Sequence, residues 1–295
     1  MRTDGSRRSQ NIEDIRGQAP RRGMGRGGGM KLGLGGMLIA LVASYFLGID
    51  PRVVMGLVQV GSQVTGAAGG QAAAPAATPG TPTDQGGDFV AAVLGDTEDT
   101  WGEIFRAAGS RYEQPRLVLF SNEVVSGCGP ASSGAGPFYC PADRKIYIDL
   151  AFYRELETDF KAPGDFAKAY VLAHEVGHHV QTITGTSEKV RAAQSRAREA
   201  EKNMLQVMME LQADCYAGIW AHHANRSRQI LESGDVEEAL GAAAAVGDDT
   251  IQKRVRGHVV PESFTHGSAQ QRQAWFTKGL QAGTLEACDT FRARS

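Results

Sequence analysis

The sequence predicts an α+β fold, mostly helical with a small β-sheet, preceded by one transmembrane helix. Three observations predict it: an uncharged apolar run from Leu32 to Ile49, two short β-prone runs on either side of a Gly/Ser-rich loop, and helical spacing of apolar residues from Asp165 onward. With 295 residues, 42% of them apolar, the chain can bury a substantial core. A net charge of −2 leaves no global electrostatic case for nucleic acid as a partner.

The N-terminal stretch Met1 to Lys31 carries eight basic residues against Asp4, Glu13 and Asp14, and is expected to be a disordered basic tail. The eighteen residues Leu32 to Ile49 carry no charge and as a helix would reach about 27 Å, enough to cross a bilayer core. Roughly thirty residues precede this run and no small-residue cleavage site directly follows it, which favours an uncleaved anchor over residues 32–50 rather than a signal peptide. Cationic residues ahead of a span stay in the cytoplasm, so the tail is expected there and everything after Asp50 on the other side. Residues 51–87, rich in Gly, Ala and Pro, are expected to form a flexible linker, and residues 88–295 a single domain.

Within that domain, Phe89 to Phe105 has mainly helical spacing, Leu117 to Phe120 and Lys145 to Leu150 suit strands, and Phe166 to Thr182 suits a helix capped near Asp165. Further helices are predicted over Ser187 to Ala224, Val236 to Val255 and Ala269 to Ala282. All four cysteines lie in this domain. Local closure pairs Cys128 with Cys140, stabilising by about 3 kcal/mol if chain entropy sets the effect, and leaves Cys215 for Cys288. Disulfides agree with a domain outside the cytoplasm, and the absence of a CxxC pair argues against a cysteine zinc site.

The chemistry concentrates in His174-Glu175-Val176-Gly177-His178. Residues four apart share a helix face, so His174 and His178 can offer two imidazoles to one tetrahedral zinc ion, with Glu175 at the adjacent position. Zinc lowers the pKa of its bound water to about 7, and a neighbouring carboxylate can take the proton as that water attacks a carbonyl; Glu175 is the candidate base. His179 is rotated about 100° away and is expected to pack rather than ligate.

A third ligand is needed. The spacing that would supply a third histidine from the same segment is broken by Gln181 and Thr184. On the later helix Glu210 and Asp214 stand four apart among apolar neighbours, which makes Glu210 the candidate ligand and Asp214 the acceptor for a ligand histidine's other nitrogen. His222 and His223 lie about 18 Å further along the helix and cannot join Glu210 at one ion.

HExxH followed by ExxAD resembles the gluzincin peptidases. The segments ELQADCYAGIWA, GPFYCPADRKIYIDL, PESFTHGSAQQRQAWF and SQNIEDIRG more closely resemble the bacterial putative neutral zinc metallopeptidase family. That resemblance implies a zincin-like catalytic domain with one zinc ion, a peptide or protein substrate, and a single-pass protein of the bacterial inner membrane whose catalytic domain is periplasmic. It also implies that His266 stabilises the oxyanion, that Lys145 to Leu150 is an edge along which a peptide lies, and that Arg272 assists at that face. The expected activity is membrane-anchored metalloendopeptidase. The alternative is a catalytically silent zinc domain that binds peptides or proteins, against which the presence of Glu175 argues.

Overall fold

The computed structural model describes residues 1–17, 78–79, 82 and 84–292. The expected membrane span, 32–50, lies outside these residues, as does most of the linker; among the described residues no helix is long and apolar enough to cross a membrane.

A five-stranded sheet runs in the order β2-β1-β3-β7-β6, with β1 at Ile12–Asp14, β2 at Thr78–Pro79, β3 at Arg116–Phe120, β6 at Phe138–Cys140 and β7 at Lys145–Asp149. Strands β1, β3 and β7 are parallel, while β2 and β6 run antiparallel to their neighbours. Both faces are covered, as buried β-rich runs such as RLVLF require. Ile12, Leu117, Leu119, Ile146 and Ile148 pack into the main helical core. The alternating Val118, Phe120 and Tyr147 pack on the opposite face with Val124 of a hairpin formed by β4 (Glu123–Ser126) and β5 (Gly129–Ser132). That hairpin and β6 occupy the loop expected between the two strands, and the Cys128–Cys140 disulfide joins them.

Residues 1–17 are ordered, contrary to the disordered tail expected there, and fall in the same compact unit as residues 77–295, while the rest of that tail, 18–31, lies outside the described residues. Ile12 is only 1% exposed, and β1 inserts between β2 and β3. The arginines are paired within the fold: Arg7 with Glu98 and Asp99, Arg8 with Asp88, Arg16 with Asp14 and Asp84. Their main acidic partners stand roughly 70 to 90 positions away, so a composition window counts them as unmatched charge. The segment lies against helix α1 (Gln85–Ala107), which Asp84 caps through the Gly87 amide. A Cβ at Gly95 of that helix would sit 2.5 Å from the Arg7 carbonyl oxygen. Gly95→Val is therefore expected to lift the N-terminal segment and cost about 1–3 kcal/mol in chemical denaturation, with early proteolysis within residues 1–17.

The other helices are α2 (Ala151–Thr158), α3 (Asp165–Ile183), α4 (Thr186–Gln194), α5 (Glu199–Arg228), α6 (Asp235–Ala245), α7 (Asp248–Arg256) and α8 (Ala269–Ala282). Two expected helices are each split. The break before α5 falls at Arg198, whose backbone is extended, and Glu199 and Glu201 then begin a new helix at its electropositive end. Between α6 and α7, Gly247 meets the start of α8 so closely that a Cβ would collide with the Ala269 backbone. Buried Asp96 of α1 accepts from Trp220 Nε1 at 2.7 Å and from Arg228 Nε at 2.6 Å, fixing α5 to α1. The Cys215–Cys288 disulfide ties the C-terminal segment to α5, as local pairing of the other two cysteines implied.

Candidate metal centre

Helix α3 carries Val171, Leu172, Ala173 and Val176 into the core, which places His174 and Glu175 in a buried setting three turns into the helix. Helix α5 crosses it at Gly177, where a Cβ would stand only 3.0 Å from both the Cα and the carbonyl oxygen of Ala213. The glycine inside HEVGH thus permits a close backbone approach that a Cβ would push apart. Because Ala213 lies between Glu210 and Asp214, this crossing brings Glu210 to both histidines and Asp214 to His174.

His174 Nε2 is 3.2 Å and His178 Nε2 3.5 Å from the same oxygen, Glu210 Oε2. One donor atom from each of the three residues lies within 4.8 Å of the others. Ligands held at about 2.1 Å around a tetrahedral ion stand about 3.4 Å apart, so the spacing fits zinc. Two imidazoles and one carboxylate also suit zinc better than calcium or magnesium, which prefer oxygen.

Each of these three side chains has an orienting partner. His174 Nδ1 is 2.8 Å from Asp214 Oδ1, His178 Nδ1 is 2.9 Å from Gln181 Oε1, and Gln206 Nε2 donates to Glu210 Oε1 at 2.9 Å. With Nδ1 of both rings donating, Nε2 is left for a metal. Gln181 is itself held by donating to the Met209 carbonyl. Spacing in the sequence could have flagged Gln181 and Gln206, since they stand three and four residues from His178 and Glu210 on the same helix faces.

Behind His174 lies a buried ionic network. Asp214, 0% exposed, receives Arg272 Nε and Nη2, each at 2.8 Å on a different oxygen, and the Tyr170 hydroxyl at 2.5 Å. Arg272 is 4% exposed and faces Asp214, so it stands behind the metal ligands rather than on the substrate side where it was expected. Phe276 of α8 packs edge-on against Tyr170 and holds the same wall.

Among protein groups alone, burial opposes a charge on His174, but Asp214 and Glu210 outweigh it and hold its pKa up at about 9. Burial likewise works to raise Glu210, yet the neighbouring His178 and His174 pull it well below the usual carboxylate range. Glu175 differs. It is 7% exposed, burial raises its pKa against the opposing pull of His178 and His174, and no hydrogen bond contributes to the shift.

The loop before α8 carries His266. Its Nδ1 is 3.3 Å from Asp248 Oδ1, while Asp248 Oδ2 accepts from the backbone amides of Thr265, His266 and Gly267. His266 is near enough to Glu210 for their charges to shift one another. Asp248 carried no signal in the sequence, because its role depends on a loop seventeen to nineteen residues later.

The other histidines lie elsewhere. His179 is buried with Nε2 2.6 Å from the Glu113 carbonyl and Nδ1 3.2 Å from the Tyr139 hydroxyl, consistent with packing. His222 and His223 bind the Leu280 and Gly283 carbonyls. Strand β7, expected as the peptide-binding edge, lies between β3 and β6; the outer strand on that side is β6, which touches α3 through Tyr139 and His179. A second acidic group, Asp165, Asp235 and Glu238, is already matched by the Met1 ammonium, 2.5 Å from Asp165 and 3.3 Å from Asp235, and by the Phe166 amide on Glu238.

Glu210→Ala is expected to lower zinc affinity by more than the roughly 10- to 100-fold that follows loss of an orienting partner. Titration against a competing chelator measures this; parent-like affinity would exclude Glu210 as a ligand.

A family model described as "putative neutral zinc metallopeptidase" matches residues 1–291. The chain is 45% identical over 296 residues to the uncharacterized protein YpfJ of Escherichia coli strain K12, covering 99% of each chain. It is 49% identical over 192 residues to the uncharacterized protein Rv2575 of Mycobacterium tuberculosis, covering 62% of this chain and 64% of that one. No solved structure matches.

Proposed function

Because the chain belongs to the putative neutral zinc metallopeptidase family, we propose that it hydrolyses peptide bonds as a zinc endopeptidase. The observation that carries this reading is buried Glu175 next in sequence to His174, whose Nε2 stands with that of His178 within 3.5 Å of Glu210 Oε2. A metal-binding domain without turnover has no need of such a group.

His174, His178 and Glu210 would hold the ion. Zinc in such a site supplies a Lewis acid that polarises a carbonyl and makes a water acidic near neutral pH. Glu175, buried beside His174, takes the proton of the attacking water and passes it to the leaving amine. His266, backed by Asp248, donates to the carbonyl oxygen as negative charge grows there. Asp214 holds the His174 ring in place, and Arg272 and Tyr170 hold Asp214. An extended peptide lies along the outer edge of β6, pairing through its backbone.

The enzyme acts on peptides or proteins near a bacterial membrane to which residues 32–50 attach it. Two disulfides within the catalytic unit favour an oxidising, extracytoplasmic compartment.

Incubating the zinc-loaded full chain with a broad peptide library tests the activity. Internal cleavages that stop with a zinc chelator and return with added zinc are expected. A fully zinc-loaded chain that cleaves nothing would instead support the silent binding domain.

A further inference from the structure

We propose that residues 1–17 and the metal-bearing unit occupy the same compartment. This inference is independent of whether the metal site turns over substrate. It departs from the sidedness expected from the cationic tail, and it stands on how deeply residues 1–17 are built into the fold.

Strand β1 is an interior strand of the sheet, with β2 on one side and β3 on the other, in the register Ile12 opposite Leu117 and Asp14 opposite Leu119. Paired strands stand about 4.8 Å apart, whereas a bilayer core is about 30 Å thick. The pairing of β1 with β3 therefore requires residues 12–14 and 117–119 to lie on one side of any bilayer.

The helical side of the unit also depends on the segment. Glu98 on α1 is buried, and its oxygens accept from Ser9 Oγ at 2.6 Å, Asn11 Nδ2 at 2.7 Å and Arg7 Nη2 at 2.7 Å. All three donors come from residues 7–11. Withdrawing the segment would leave Glu98 without these partners and would expose the apolar site that Ile12 fills, both unfavourable. The Ser9 amide also donates to the Ala91 carbonyl at 2.9 Å.

Within residues 1–17 the cationic side chains are matched by this packing. Arg7, Arg8 and Arg16 are paired with acids of the fold, and Glu13 takes Lys145 at 2.7 Å. Similarity to the family also runs from residue 1, across both sides of the apolar run.

Single cysteines in the full chain can test the placement, read against the parent chain, whose four native cysteines are paired in the structure and whose own labelling before and after lysis is subtracted. Asp4→Cys reports on the N-terminal segment, Ser110→Cys on the metal-bearing unit; both residues are exposed. Arg2→Cys, at a side chain 59% exposed, serves as a second N-terminal probe should Asp4→Cys misfold. In spheroplasts of a Gram-negative host, a membrane-impermeant maleimide should label both positions before lysis or both only after it. Labelling of one position before lysis and the other only after it would overturn the proposal. Joint labelling only after lysis would uphold the shared compartment and reject the extracytoplasmic placement proposed above.

Discussion

Glu175→Gln is expected to leave fold and zinc content near those of the parent while peptide hydrolysis falls by about 10² to 10⁴. The amide nearly preserves the carboxylate's shape but cannot accept the proton of the attacking water. The surroundings favour a clean result: burial already disfavours charge at this position, so a neutral amide introduces no new unpaired charge. It also lies outside the cluster formed by His174, His178 and Glu210, so their spacing should persist. Zinc stoichiometry and melting temperature are measured alongside turnover. A variant that cleaves as fast as its parent with equal zinc would remove Glu175 from the mechanism.

Asp214→Ala is expected to be the more damaging change to the molecule as a whole. In sequence Asp214 reads as an outer partner of a ligand histidine, whose loss weakens metal binding by roughly 10- to 100-fold. In the fold it is also the carboxylate on which buried Arg272 and the Tyr170 hydroxyl converge. Removing it strands the guanidinium in the core, and breaking a buried ion pair from one side costs about 3–5 kcal/mol. The variant should therefore lose stability in denaturant even when zinc is chelated from both proteins. Asp214→Ala combined with Arg272→Met should recover part of that stability without recovering metal affinity. Equal stability of Asp214→Ala and the parent under chelation would show that the ion pair contributes little.

By itself the sequence determined what lies within reach of helical or strand periodicity. The four-residue spacing of His174 and His178, and of Glu210 and Asp214, was legible because each pair shares one helix face. The strands Leu117 to Phe120 and Lys145 to Leu150 and the final helix were legible for the same local reason, and the cysteine pairing followed from the short Cys128 to Cys140 loop. Only the tertiary structure decided features whose partners are far apart in the chain. Residues 1–17 read as a tail because Glu98, Asp88 and Asp84, which neutralise their arginines, lie beyond any local window. Arg272 could not be placed behind His174 until α8 was packed against α5, nor Asp248 beside His266 until the loop before α8 met the start of α7. The break that separates α6 from α7 likewise depends on where the chain must turn to pack, at Gly247 against Ala269. Periodicity records which face of an element is buried, whereas the pairing of charges and the order of strands depend on which distant elements meet there.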